Sequence, residues 1–218
     1  MRNNNQFMLD LCAEQILANY LDDFYYPRLN DIIYERVHDM NNQHLGIDTI
    51  LTQNNINLLI DEKGLLSIPK PINTFALELS YINTNGVRRI GWLFDEHKIT
   101  THYLLCWVKR NECNLQELQI TDIHYVVALL ISRQKLLSYL DYTYNINVDT
   151  LNTIESNILA DGRNGRQENL SNTSKSRYHY SSHLPEAPIN IVMDKNELLD
   201  SGAVISHHLV KRSSLDIK

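Results

Sequence analysis

The sequence predicts a mixed α/β domain: a central mixed β-sheet flanked by helices. Three observations carry this. A helical-period apolar stripe opens the chain over residues 7–26. A series of short β-prone runs separated by turn residues fills 44–109. A second helix-like stretch follows at 123–142. Helix, several strands and helix around one core is the pattern of an α/β or α+β domain.

The elements follow in order. Met8, Cys12, Ile16, Tyr20 and Phe24 recur every four residues, with Leu9, Leu17 and Leu21 beside them. This is one face of a helix, and Pro27 ends it. HLGIDTILT (44–52) and INLLIDEKGLLSI (56–68) read as two strands, and Asn54-Asn55 between them supports a tight antiparallel turn. Pro69 to Pro71 closes that unit. FALELSYI (75–82), RRIGWLF (88–94) and HYLLCWVK (102–109) read as further strands, the first two joined by an NTNG turn. Val126, Val127, Leu130, Ile131, Leu137 and Leu140 give 123–142 an apolar helix face, with Arg133 and Lys135 on the polar side. Composition shifts near Asn145. Residues 161–182 are rich in Asn, Ser, Gly and Arg and predict a long loop. A short apolar run returns at 188–193, and an acidic helix start follows at 194–199. The expected organisation is therefore a core over 1–145 and a loop-rich, partly flexible extension over 146–218 that packs back on it.

Composition bounds the function. Among 218 residues, 43% are hydrophobic and 21% charged, values that suit a globular chain with its own core. A net charge of -6 excludes a polybasic binder driven by phosphate neutralisation alone. The three cysteines, Cys12, Cys106 and Cys113, lack CxxC spacing and predict reduced thiols. Asp10 and Glu14 break the first apolar stretch, so it does not read as a secretory signal, and no run of about 18 apolar residues occurs. A cytoplasmic protein without membrane partners is expected. P-loop, GxSxG, HExxH and GxGxxG patterns are absent, which argues against the commonest ATPases, serine hydrolases, zincins and dinucleotide enzymes.

The chemistry concentrates between Asp39 and Gly64. On a strand, Asp61 and Lys63 point the same way and Glu62 the other. Asp48 on the neighbouring strand completes two carboxylates and one ammonium. Leu58, Leu59 and Ile60 lead straight into these charges, and buried charge requires compensation. A divalent cation is one form of it: two carboxylates, a phosphate and waters suit Mg²⁺. The lysine then orients or deprotonates the attacking water, or neutralises charge on the phosphate.

Asp48, a twelve-residue gap and Asp61-Glu62-Lys63 resemble the PD-(D/E)XK phosphodiesterase superfamily, the restriction-endonuclease-like fold. A longer form, Asp39-x3-Gln43-x2-Gly46-Ile47-Asp48 followed by Ile60-Asp61-x-Lys63, resembles a bacterial and phage branch of it. Ile47 stands where that motif has Pro, and Asp61 where Glu is commoner. The resemblance covers about residues 7–142. It implies a Mg²⁺-dependent nuclease, Mn²⁺ substituting, with DNA as the first expected substrate and a homodimer where both strands of a duplex are cut. Asp48, Asp61 and Lys63 are the implied catalytic residues, and Asp48 and Asp61 the implied metal ligands. Gln43 and Asp39 would support the site. Glu78 would approach the metal if its strand ran beside that of Asp61, and Glu14 if the first helix faced it. Tyr178-His179-Tyr180 with Lys175 and Arg177, and the pair Arg88-Arg89, are candidates for nucleic-acid contact. Trp92 and Trp107 read as core or interface aromatics. His207 and His208 would face opposite sides of a strand, which is poor ligand geometry. Two other readings stay open: a non-catalytic restriction-endonuclease-like module that binds protein or nucleic acid, and an unrelated phage or bacterial interaction protein in which Asp48, Asp61 and Lys63 do not converge.

Overall fold

The computed structural model describes residues 4–218, with side chains from Leu11 onward apart from that of Met40. The expected contributions of Met8 and Leu9 to the helix stripe lie outside the described side chains. In chain order the elements are α1 (Asn4–Phe24), β1 (Ile33–Arg36), α2 (Met40–His44), β2 (Thr49–Gln53), β3 (Ile56–Leu65), β4 (Thr74–Ile82), β5 (Arg88–Ile90), β6 (His102–Arg110) and β7 (Ile123–Ser132). Then come α3 (Arg133–Tyr144), α4 (Val148–Asp161), β8 (Gly165–Asn169), β9 (Arg177–Tyr180), β10 (Ile189–Asp194), α5 (Lys195–Asp200), β11 (Val204–Lys211) and β12 (Leu215–Ile217). The molecule is mixed α/β, with two sheets and accompanying helices.

The chain forms two compact units whose segments alternate along the sequence. The first comprises the chain up to Ile72, Ile99–Ser132 and Val204–Lys218; the second comprises Asn73–Lys98 and Arg133–Ala203. The boundary expected near residue 145 therefore does not coincide with the division into compact units. The chain leaves the first sheet after β3 and again after β7, and returns each time to add two strands, first β6 and β7 and then β11 and β12. Composition cannot register such excursions, because each leg has an ordinary globular composition.

The first unit holds a seven-stranded sheet in the order β1-β2-β3-β6-β7-β11-β12. Only β3 and β6 run parallel among its neighbours, so the sheet is mixed. Helix α1 covers one face. Ala13, Leu17, Tyr20 and Leu21 share a buried cluster with Ile60, Leu104, Cys106, Val126, Ala128 and Val210. The Tyr20 hydroxyl donates to the Val210 carbonyl at 3.2 Å, so this buried phenol is satisfied. Gly64 permits the close approach of helix and sheet, because a Cβ there would collide with the Leu17 side chain. Tyr103, Leu105, Trp107, Leu129 and Ile131, on the other face of the sheet, are fully buried.

The hairpin of β2 and β3 forms as expected. Asn54 and Asn55 both adopt positive φ, 51° and 64°, which a two-residue hairpin turn requires and asparagine tolerates. Its first strand is shorter than predicted. Residues 40–44 form α2, Gly46 turns at φ 80°, and β2 begins only at Thr49. The strand expected over 88–94 ends at Ile90.

The largest correction concerns 123–142, expected as one helix. Residues 123–132 are β7, and only 133–144 are helical. β7 lies between β6 and β11, with Val126, Ala128, Leu129, Leu130 and Ile131 all buried. A strand buried on both faces loses its period-2 signature and reads as a continuous apolar run.

The second unit holds a five-stranded sheet in the order β5-β4-β10-β9-β8. The segment expected as a loop over 161–182 contains β8 and β9, which pair with each other, while β9 also pairs with β10. Glu197 fixes the turn that precedes β9. Its carboxylate accepts from the Ser174 and Ser176 hydroxyls at 2.8 and 2.5 Å and from the Lys175 backbone N–H at 2.5 Å. Helix α4 was not foreseen, although its ends carry signals. The Asn147 side chain accepts from the Thr150 backbone N–H at 3.0 Å, and Gly162 closes the helix at φ 67°. Strand β11 was also not foreseen. Among the described residues no helix is long and apolar enough to cross a membrane.

Candidate functional site

Asp48 lies one residue before β2, not within it. Its backbone still continues the sheet: its N–H donates to the Ile60 carbonyl at 2.8 Å, and its carbonyl accepts from the Val37 N–H at 2.9 Å. Thr49 pairs with Ile60 at the end of the β2–β3 ladder, and Asp48 follows there beside Ile60 and Glu62 of β3. The Asp48 carboxylate turns along the strand, where Oδ2 accepts from the Glu62 backbone N–H at 2.7 Å.

The residues before Asp48 build the turn that delivers it. Asp39 is the N-cap of α2 and accepts from the Asn42 N–H at 3.1 Å. Gln43 donates through Nε2 to the Val37 carbonyl at 3.0 Å. The Gly46 N–H returns to the Gln43 carbonyl at 2.9 Å, and the Thr100 hydroxyl donates to the Gly46 carbonyl at 2.5 Å. Asp39 and Gln43 thus act on Asp48 through the main chain.

On β3, alternation separates the three consecutive charges. Asp61 is opposite Tyr103 of β6, and Lys63 is opposite Leu105, so both belong to that face of the sheet. The Lys63 Nζ lies 2.5 Å from Asp61 Oδ1, with side chains 29% and 5% exposed. The Asp48 carboxylate stands close enough to the Asp61 carboxyl to act on it. Burial pushes that carboxyl up; the Lys63 ammonium pulls it back and the Asp48 charge pushes it up again, to about 6. For Lys63, burial favours the neutral amine, but the charges of Asp61, Asp48 and Glu14 outweigh it and hold the pKa above the ordinary lysine range. Lys63 is therefore an ammonium at neutral pH.

Glu62 faces α1 and meets three donors on a single oxygen. Tyr26 Oη donates to Oε1 at 2.5 Å, Arg36 Nη1 at 2.8 Å and Thr49 Oγ1 at 2.8 Å. Burial raises the Glu62 carboxyl and Arg36 lowers it, leaving it above the usual range. Arg36 continues the network to Asp22 of α1, with Nη2 2.7 Å from Oδ1. None of Tyr26, Arg36 or Thr49 was marked by the sequence reading. The signal was indirect: a glutamate of opposite parity to Asp61 on a buried strand requires a cation, and Arg36 stands in the polar stretch before α2.

A cavity of about 290 Å³ opens beside Glu62, lined by Glu14, Asp22, Arg36, Gln43 and Asp48 among others; Asp61 and Lys63, on the other face of β3, are not among its lining residues. Two weaker candidates, Glu14 and Gln43, are thus brought to it together with Asp48. Glu78 is not on a strand beside β3. It sits on β4 in the five-stranded sheet, whose neighbours are β5 and β10. The conditional expectation for Glu78 is therefore not met. Arg88 is engaged within the second unit, donating to Ser80 Oγ at 2.9 Å and to the Ala187 carbonyl at 3.1 Å. Trp107 is a core residue, and His208 is buried with its Nδ1 3.1 Å from Tyr25 Oη. Cys12, Cys106 and Cys113 are free thiols.

Among the described residues no group of three or more His, Cys, Asp or Glu side chains is placed to hold a metal ion. Asp48 and Asp61 set two carboxylates against one another, and any positive charge brought beside them would favour the ionised form of Asp61 that burial disfavours. Comparison with known protein families, with curated sequences and with solved structures gives no match.

Proposed function

We propose that this chain is a Mg²⁺-dependent phosphodiesterase that cleaves nucleic acid, DNA in the first instance, on a restriction-endonuclease-like core. The observation that carries the reading is the meeting of Asp48 and Asp61 at the end of the β2–β3 ladder, with Lys63 2.5 Å from Asp61. Side chains spaced thirteen and fifteen residues from Asp48 become immediate neighbours there.

Asp48 and Asp61 would hold Mg²⁺, or Mn²⁺ in its place. When bound, the cation supplies Lewis-acid polarisation of the phosphate and lowers the pKa of water. The chain's own groups do the rest. Lys63, fixed as an ammonium, faces negative charge as it develops on the phosphate and orients water by donating hydrogen bonds. It is not the base that takes the proton. Its restraint by Asp61 keeps it in place before substrate arrives. Cutting both strands of a duplex would call for two copies of the chain.

The test is cleavage of duplex, single-stranded and branched DNA and of RNA, in magnesium, manganese and EDTA. Asp61→Asn should abolish cleavage with the fold intact. Cleavage by that variant at the wild-type rate in magnesium would overturn the assignment. A second reading draws on the same ion pair: Asp61 and Lys63 satisfy one another, as in a non-catalytic relative that binds protein or nucleic acid. Wild-type protein that binds DNA but cuts none of these substrates in either metal would favour it.

A further inference from the structure

We propose that Glu62 is the positioning residue of this site: held from behind by Tyr26, Arg36 and Thr49, it sets the orientation of the Asp48 carboxylate. The inference rests on reading Asp48 and Asp61 as ligands of a divalent cation.

Glu62 stands between Asp61 and Lys63 in sequence, on the opposite face of β3. Its backbone N–H is the donor that holds Asp48 Oδ2 at 2.7 Å. Whatever fixes the Glu62 main chain therefore fixes one oxygen of the Asp48 carboxylate, and with it the direction in which the other points. The pairing of β3 with β6 holds that main chain, and the Glu62 side chain adds an anchor to it on the α1 face. Three donors from three parts of the fold converge on Oε1: Tyr26 follows α1, Arg36 ends β1 and Thr49 opens β2.

Thr49 adjoins Asp48 in the chain, so its hydroxyl closes a short loop from one proposed ligand to the residue beside the other. Arg36 adds a longer contact to the Asp48 carbonyl, 3.5 Å from Nη1, and reaches α1 through the Ala18 carbonyl at 3.3 Å and through Asp22. The guanidinium lies over the Tyr26 ring at 5.6 Å, and that ring is stacked on Tyr34. These contacts leave the donors little latitude.

Stability is a weak reason for such a cluster. A buried ion pair gains little over apolar residues of similar volume at both of its positions, so apolar side chains at 36 and 62 together would serve stability as well without desolvating a carboxylate. A group that orients a ligand from behind is the better account, since outer hydrogen bonds of this kind govern metal affinity by 10–100-fold.

The test compares Thr49→Val, which removes the hydroxyl at nearly constant volume, with Thr49→Ser, which keeps it. Mn²⁺ binding to the full chain without DNA is measured by calorimetric titration, and thermal melting is followed in EDTA. Thr49→Val should bind Mn²⁺ on the order of 10-fold more weakly than wild type, and Thr49→Ser within about twofold of it, so that the hydroxyl alone decides. Equal affinity of Thr49→Val and wild type would overturn the proposal. So would an equal loss in both variants, which would report packing. Should Thr49→Val fail to fold, Tyr26→Phe, which removes another donor to the same oxygen, carries the comparison with the same expected loss. Wild-type protein that binds no Mn²⁺ at millimolar concentration would remove the metal-site reading and this inference together. Wild-type binding with Thr49→Val unaffected removes the inference alone.

Discussion

Asp61 and Glu62 are consecutive, both buried and both carboxylic, yet their surroundings differ. Glu62 Oε1 receives a tyrosine, an arginine and a threonine, and beyond them the network ends on α1. Asp61 meets one ammonium and a second carboxylate. The first arrangement is closed: charge and hydrogen bonds are matched within the chain. Burial raises both carboxyls, but Asp61, raised to about 6, also has the Asp48 charge against it, a state that an added cation would relieve. Alternation along one strand thus separates a carboxylate that braces from one suited to binding, one residue apart.

The comparison can be broken most sharply by changing Asp61. Asp61→Asn should lower the cleavage rate by at least on the order of 10³-fold, about 4 kcal/mol of transition-state stabilisation, measured in single-turnover assays with circular dichroism unchanged. Lys63→Met should follow, with a loss of about 10²-fold. If Lys63→Met equalled wild type, the ammonium would have no part in the chemistry.

Glu62→Leu addresses the other face. It leaves Arg36 with Asp22 but removes its second partner, so a loss of about 3 kcal/mol in urea unfolding is expected. Glu62→Gln, which keeps an acceptor oxygen, should lose less. Should Glu62→Leu prove as stable as wild type, the brace would contribute nothing to folding.

The pH dependence distinguishes the two carboxyls more finely. The folded Asp61 value of about 6 lies above the ordinary 3.8, so the folded state holds this proton more tightly than the unfolded chain. The contribution is fully present below pH 3.8 and is lost as pH rises through about 6. In EDTA, Asp61→Asn should flatten that part of the stability profile by about 3 kcal/mol. An unchanged profile would place the Asp61 carboxyl in the normal range. Under cleavage conditions the rate should fall as pH drops through about 6, and the midpoint should move lower as magnesium is raised, because metal and proton compete. A midpoint independent of magnesium would mean that the titrating group is not a ligand.

The smallest effect concerns the second unit. Asn147→Ala removes the N-cap of α4 and should cost about 1 kcal/mol of stability without altering cleavage.

The sequence by itself determined the local features of the site. Two asparagines at a hairpin turn and the parity of Asp61 and Lys63 against Glu62 are short-range, and steric preference and side-chain alternation suffice to read them; the helix end and turn over 44–46 read instead as the start of a strand. Tertiary structure decided the rest. Residues 123–132 became a central strand because sheets bury both faces of such a segment, and a segment buried on all sides carries no period. The run at 165–180 became paired strands because β10 and Glu197 give its backbone partners from elsewhere in the chain. Arg36 found Glu62, and Asp48 came to face Asp61 from one residue outside its strand, because hydrogen bonding and burial act through space, whereas the sequence records only neighbours along the chain.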